Sequence, residues 1–154
     1  MDAERLEALR SAHEADGARR SKRHSVRVED YLEVLHELEL VEGRAKPARI
    51  AESLAVARPS VTKMLQRLDE EGLVEYKRYH GAILTKEGRK AAENLRERHS
   101  LIVRFLRVLG VDEETAHTDT EGIEHHFHEK TLDALRRLVE KAESDPEWWG
   151  FVNQ

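Results

Sequence analysis

Residues 46–74 read KPARIAESLAVARPSVTKMLQRLDEEGLV, and they set the fold. A short helix opens with Pro47 in its first turn, where a missing N–H costs nothing, and buries Ile50 and Leu54. A turn at Ala55–Arg58 follows. A second helix opens at Pro59, buries Val61, Met64, Leu65 and Leu68, and stops at Gly72. Two short helices around a turn of three to four residues form a helix-turn-helix. Between Arg44 and Arg67 six basic residues stand against one acidic residue, Glu52, a local charge of +5. The second helix exposes Ser60, Thr62, Lys63 and Gln66 near its start, where side chains can meet base edges and helix amides favour phosphate. An antiparallel helix pair with an accidental basic face is the alternative.

Downstream, LVEYKRYHGAILT (residues 73–85) alternates and turns at His80–Gly81, which predicts a two-stranded hairpin with Leu73, Ile83 and Leu84 packed inward. A helix-turn-helix followed at once by a hairpin is a winged helix. The candidate DNA contacts are Arg58, Pro59, Ser60, Thr62, Lys63 and Arg67 on the second helix, with Lys77, Arg78 and His80 at the wing tip. Contacts from the wing to phosphate set register without reading sequence. Upstream, VEDYLEVLHELELV (residues 28–41) aligns Val28, Tyr31, Leu32, Leu35 and Leu38 on one stripe, an amphipathic helix closed by Gly43. Asp30 and Glu33 sit on it three apart, a spacing ordinary for solvated surface. Residues 1–27 read as a basic N-terminal arm, with five basic and no acidic residues between Arg19 and Arg27.

Thr85 caps a long helix expected from Lys86 to Leu109 and ended by Gly110. Its stripe is Ala92, Leu95, Ile102, Phe105, Leu106 and Leu109, and His99 falls within it, a polar group that needs a partner. Next comes DEETAHTDTEGIEHHFHE, residues 112–129, with seven carboxylates, four of the nine histidines, and no Lys or Arg. Read as one helix, it gathers Ala116, Ile123 and Phe127 on one side and Glu121, Glu124, His125 and His128 on the other. Glu121, Glu124 and His125 are i, i+3 and i+4, so their heads can converge. Oxygen and imidazole donors without sulfur suit Mn(II) or Fe(II); a solvated acidic face is the other reading. A last helix follows with Leu132, Leu135, Leu138, Val139 and Ala142, then a tail holding both tryptophans and Phe151, which is expected to dock on its own chain or a partner.

Composition narrows the classes. The chain has 154 residues, is 37% charged and only 5% aromatic, and carries a net charge of −5. That balance suits a helical protein and argues against indiscriminate polyanion binding. The absence of cysteine excludes disulfides, thiolate zinc sites and cysteine nucleophiles. No stretch approaches the roughly 20 apolar residues of a membrane span, and no secretory h-region opens the chain, so a cytoplasmic location is expected.

The order of parts is similar to the diphtheria toxin repressor family of metalloregulators, and most of all to its manganese-dependent transport regulator branch. The segments VEDYLEVL, PSVTKMLQRLDEEGL, LTKEGRK, RERHSLIVRFLRVLGVDEE and EGIEHHF carry the resemblance, which spans about Val28 to Leu138. It implies six metal ligands, Asp30, Glu33, His99, Glu121, Glu124 and His125. The iron-responsive branch has Cys where this chain has Glu121, and oxygen in place of sulfur hardens the site toward Mn(II). His80 departs from the arginine expected at the wing tip. The implied architecture is mainly α with a small hairpin: a winged helix-turn-helix domain at 28–85, joined by a long helix to an all-α dimerisation and metal-binding domain at 86–154, with no SH3-like domain. The implied function is a homodimeric regulator, not an enzyme, that binds a palindromic double-stranded DNA operator and represses metal-uptake genes. Its implied cofactor is Mn(II), one or two ions per subunit, with Fe(II), Co(II) or Cd(II) as substitutes. The competing readings are a metal-independent winged-helix regulator sensing a small organic ligand, a metallohydrolase, and a manganese store.

Overall fold

The computed structural model describes residues 28–150; the basic arm and Phe151 lie outside them. Those residues are mainly helical, with one two-stranded antiparallel sheet. Two compact units divide within one helix, after Ala92. Among the described residues no helix is long and apolar enough to cross a membrane.

In the first unit α1 (residues 28–42) buries Tyr31, Leu32, Leu35 and Leu38 along the expected stripe. Gly43, at φ +76°, returns its amide to the Glu39 carbonyl at 2.9 Å and ends the helix. Next come α2 (Pro47–Ser53) and α3 (Arg58–Glu70). The turn between them is one residue earlier than the sequence suggested, because Arg58 already belongs to α3. Pro59 then sits in the first turn, where its absent N–H has no helical partner to lose. Ile50, Val61, Leu65 and Leu68 have no exposed surface. Each such side chain contributes about 1.5–3 kcal/mol of burial.

The wing pairs β1 (Val74–Lys77) with β2 (Gly81–Leu84), Val74 opposite Leu84 and Lys77 opposite Gly81. Its inward side chains are Val74, Ala82 and Leu84; Leu73 and Ile83, expected inside, are only half-buried. Ala45 exchanges two backbone hydrogen bonds with Ala82, at 2.9 and 2.8 Å, adding a third rung to the wing. Glu39 of α1 gathers the unit. One carboxylate oxygen accepts from the Leu84 amide at 3.0 Å and the other pairs with Arg89, in the first turns of α4 (Lys86–Val108).

The second unit holds the rest of α4, then α5 (Glu113–Ile123), a 3-10 turn (Glu124–His126), α6 (Glu129–Ser144) and the short α7 (Pro146–Trp149). Leu101, Ile102, Leu132 and Val139 form its core, with Phe105, Leu106, Phe127 and Leu135 packed against them. Arg104 forks onto Glu143 at 3.0 and 2.5 Å and joins α4 to α6; its guanidinium holds the Glu143 carboxyl below the usual range. The tail docks in part: the Trp149 indole donates to the Val108 carbonyl at 2.8 Å, while Trp148 stays exposed. Leu109 follows the end of α4 instead of extending its stripe, and is also exposed.

Among the described glycines of the first unit, Gly88 in α4 has the least room for a side chain. A Cβ there would lie 1.8 Å from the Leu73 carbonyl oxygen, a clash no rotamer relieves. Helix propensity alone would make Gly88→Ala stabilising by about 1 kcal/mol. The clash, an overpacking cost of about 1–3 kcal/mol, outweighs it. Thermal unfolding of Gly88→Ala should therefore show a lower midpoint than wild type; an equal or higher midpoint would contradict this packing.

Candidate metal centre

Asp112 starts α5 by accepting from the Thr115 amide at 3.0 Å and the Thr115 hydroxyl at 2.7 Å. The hydroxyl, then the amide, holds the Asp112 carboxyl below its ordinary range. Ala116 and Thr120 are fully buried, and the Thr120 hydroxyl bonds back to the Ala116 carbonyl at 2.7 Å. The stretch 112–129 is not the single helix that its periodicity suggested. It tightens to a 3-10 turn at Glu124, then runs extended through Phe127 before α6 begins at Glu129. Phe127 turns into the core, whereas Ile123, placed on the buried side by the helical reading, is more than a third exposed. Tightening to a 3-10 turn puts Glu124 inside the fold instead of on an acidic surface, and such irregular turns recur at functional sites.

Four of the six expected ligands meet here. His99 Nδ1 lies 3.1 Å from Glu124 Oε2 and 3.7 Å from Glu121 Oε1, and His125 Nε2 lies 3.6 Å from Glu124 Oε1. His99, Glu121 and Glu124 each offer a ligand atom within 4.8 Å of the others. The Glu124 side chain is 2% exposed and the Glu121 side chain 70%, so the cluster has a buried floor and a solvent-facing carboxylate. Glu124 Oε1 is buried with no hydrogen bond. Burial chiefly, with the Glu121 charge in support, raises the Glu124 carboxyl above its ordinary pKa, against the opposing pull of His99 and His125. A buried carboxylate with one oxygen lacking a hydrogen bond, flanked by imidazole and a second carboxylate, fits a divalent cation of intermediate hardness.

Asp30 and Glu33, the other two expected ligands, are half-buried and one turn apart on α1 in the first unit. His117, to which the sequence reading assigned no role, has its Nδ1 3.2 Å from His99 Nε2. The signal was there, since His117 is one helical turn before Glu121.

On the expected DNA-reading side, Arg58, Pro59, Ser60 and Lys63 are exposed at the start of α3, and Lys77, Arg78 and His80 are exposed at the wing. The half-buried Thr62 gives its hydroxyl to the Arg58 carbonyl at 3.2 Å. Arg67 donates to Glu71 at 2.7 Å, and Arg49 to Glu42 and Glu52 at 2.9 and 2.5 Å. Two of the six cations counted in the sequence are thus compensated, partly by acids outside that window. Arg44 steadies the wing tip by donating to the His80 carbonyl at 3.0 Å. Tyr79 was missed as well: it is 91% exposed at φ +72°, with Arg78 over its ring at 5.3 Å.

Two family models match in tandem. Residues 24–82 match the iron dependent repressor N-terminal DNA binding domain, and residues 85–148 match its metal binding and dimerisation domain. The HTH-type transcriptional regulator MntR of Bacillus subtilis (strain 168) is 44% identical over 118 residues, 77% of this chain and 83% of that protein. The chain belongs to the iron-dependent repressor family. This is the diphtheria toxin repressor family, and the chain falls on its manganese-regulator branch. Its relatives are transcriptional regulators rather than enzymes. The MntR of Lysinibacillus sphaericus (strain C3-41) is 42% identical over 78% of this chain and 86% of that protein. Among solved structures, the hypothetical protein SSo2273 from Sulfolobus solfataricus has a TM-score of 0.62 and 29% identity, over 75% of this chain and 88% of that one. ScaR with bound Cd2+ has a TM-score of 0.66 and 32% identity, over 73% of this chain; the chain spans only 53% of that larger regulator.

Glu124 yields a test of the buried floor. Its carboxyl keeps a proton to higher pH in the folded chain than in the unfolded one. The resulting penalty on metal-free stability sets in as pH rises past the unfolded value and is complete above the folded one. Glu124→Gln removes that penalty, and should raise the metal-free midpoint at neutral pH by about 2–4 °C per kcal/mol regained while abolishing the stabilisation by added Mn(II). A midpoint below wild type, or stabilisation by Mn(II) retained, would refute the assignment.

Proposed function

We propose that the protein is a manganese-responsive DNA-binding transcriptional regulator that works in the cytoplasm as a homodimer on a palindromic double-stranded operator, repressing metal-uptake genes. The observation that carries this reading is the buried Glu124 oxygen without a hydrogen bond, set among His99, Glu121 and His125 in a chain whose first unit is a winged helix. Asp30 and Glu33 of α1 complete the donor set in this proposal, so that six side chains hold one or two ions. Arg58, Pro59, Ser60, Thr62, Lys63 and Arg67 of α3 meet the major groove, and Lys77, Arg78 and His80 of the wing meet phosphate.

Held by His99, Glu121, Glu124 and His125 with Asp30 and Glu33, a divalent cation would supply the positive charge that oxygen and imidazole donors favour. The remaining chemistry belongs to the chain. Carboxylates in one small space repel: at 4 Å a like-charge pair costs roughly 4 kcal/mol at an effective dielectric of 20. In this proposal that repulsion is offset only when a cation is held, so occupancy would be the condition for Asp30 and Glu33 to share one donor set with Glu121 and Glu124. Through the Glu39 contacts to the wing and to α4, α1 carries the reading head with it. Two such heads in a dimer serve an operator when they stand about 34–36 Å apart, one turn of DNA, or a multiple of it. Glu121, an oxygen donor, sets the preference for Mn(II), with Fe(II), Co(II) and Cd(II) as weaker-matched alternatives.

Binding of a palindromic operator duplex, with and without Mn(II), tests this directly in wild type and Glu121→Ala. Wild type should bind tightly only with Mn(II), and Glu121→Ala weakly in both conditions; equal affinity in all four combinations would remove the metal from the mechanism. Glu121→Cys should shift the response toward Fe(II) or Co(II), since sulfur softens the site. An unchanged preference for Mn(II) would defeat the softness argument.

A further inference from the structure

His99 has two ring nitrogens with different duties. Nδ1 faces the carboxylates of Glu124, at 3.1 Å, and Glu121, at 3.7 Å. Nε2 faces away from them, 3.2 Å from Nδ1 of His117 on α5, and the two rings stack with centroids 5.4 Å apart and planes 27° from parallel. We propose that His117 is a positioning residue for His99: its Nδ1 accepts the Nε2–H of His99, which fixes the tautomer and ring orientation that leave His99 Nδ1 free to bind the metal. This rests on the manganese reading above.

The argument is one of complementary protons. A neutral imidazole carries one proton, so a His99 that gives its Nδ1 lone pair to a cation must carry that proton on Nε2. Among the described residues His117 Nδ1 lies within hydrogen-bond distance of that nitrogen, at 3.2 Å, and can accept its N–H. The opposite arrangement, with His117 donating to His99 Nε2, would leave the His99 proton on Nδ1, between the ring and the two carboxylates. That tautomer blocks the metal. Partners that accept from the outer nitrogen of a ligating histidine typically account for 10–100-fold in metal affinity. His117 is exposed and outside the hydrophobic core, so it is free to serve orientation instead of packing.

Three substitutions separate the hydrogen bond from the stack. His117→Phe keeps a ring against His99 but has no acceptor. His117→Asn keeps an acceptor oxygen near the position of Nδ1 but loses the ring, and His117→Ala loses both. Mn(II) affinity of the full chain should fall about 10–100-fold in the Ala and Phe variants and largely recover in Asn, with all four metal-free midpoints alike. In wild type loaded with 113Cd(II), 15N spectra should show cadmium coupled to His99 Nδ1 and a slowly exchanging proton on His99 Nε2. Wild-type affinity in the Phe variant would overturn the proposal, as would cadmium coupling to His117, which would make His117 a ligand itself. Wild-type Mn(II) binding that survives Glu121→Ala unchanged would instead bring down the manganese reading, and this inference with it.

Discussion

A carboxylate placed where water cannot reach it organises the second unit. Glu124 is 1% exposed, and one of its oxygens has no hydrogen bond. Burying a charge in this way is costly unless a counter-charge is present. The surrounding fold accepts that cost instead of avoiding it. Thr120 and Ala116 anchor α5 in the interior, and the 3-10 turn at Glu124–His126 directs Glu124 inward and His125 beside it. Phe127 then packs against the core directly after the turn. An apolar residue at position 124 would avoid that cost.

The first unit solves a different problem, that of presenting short polar side chains on a rigid frame. The frame is over-determined. Glu39 holds the wing and the start of α4, Ala45 adds a rung to β2, and Gly88 lets the helix approach the Leu73 carbonyl. Against that frame Arg58, Ser60 and Lys63 stay exposed. The basic face is more modest than the residue count implies, because Arg49 and Arg67 are paired with glutamates.

Much of this was legible in the sequence, for identifiable reasons. The stripe on α1, the proline-led helices and the hairpin rest on periodicity and on Gly and Pro signals, which act locally and survive folding. So does the grouping of Glu121 with Glu124. Burial of Glu124 was not legible, because a helical wheel over residues 112–129 assumes one regular helix, and the break at Phe127 arises from tertiary packing. The tie from His117 to His99 spans 18 residues between two helices, beyond any local rule. Ile83 was misjudged because neighbouring strand residues face opposite sides, so it cannot point inward beside Ala82 and Leu84, and Leu73 lies just before β1.

Crystals grown with Mn(II), with anomalous difference maps recorded at the manganese edge, address the central claim most directly. The account requires a peak within bonding distance of His99 Nδ1, Glu121 and Glu124 Oε1, the oxygen that has no hydrogen bond. A map with no peak there, in which Glu124 is instead satisfied by hydrogen bonds from the protein, would contradict it.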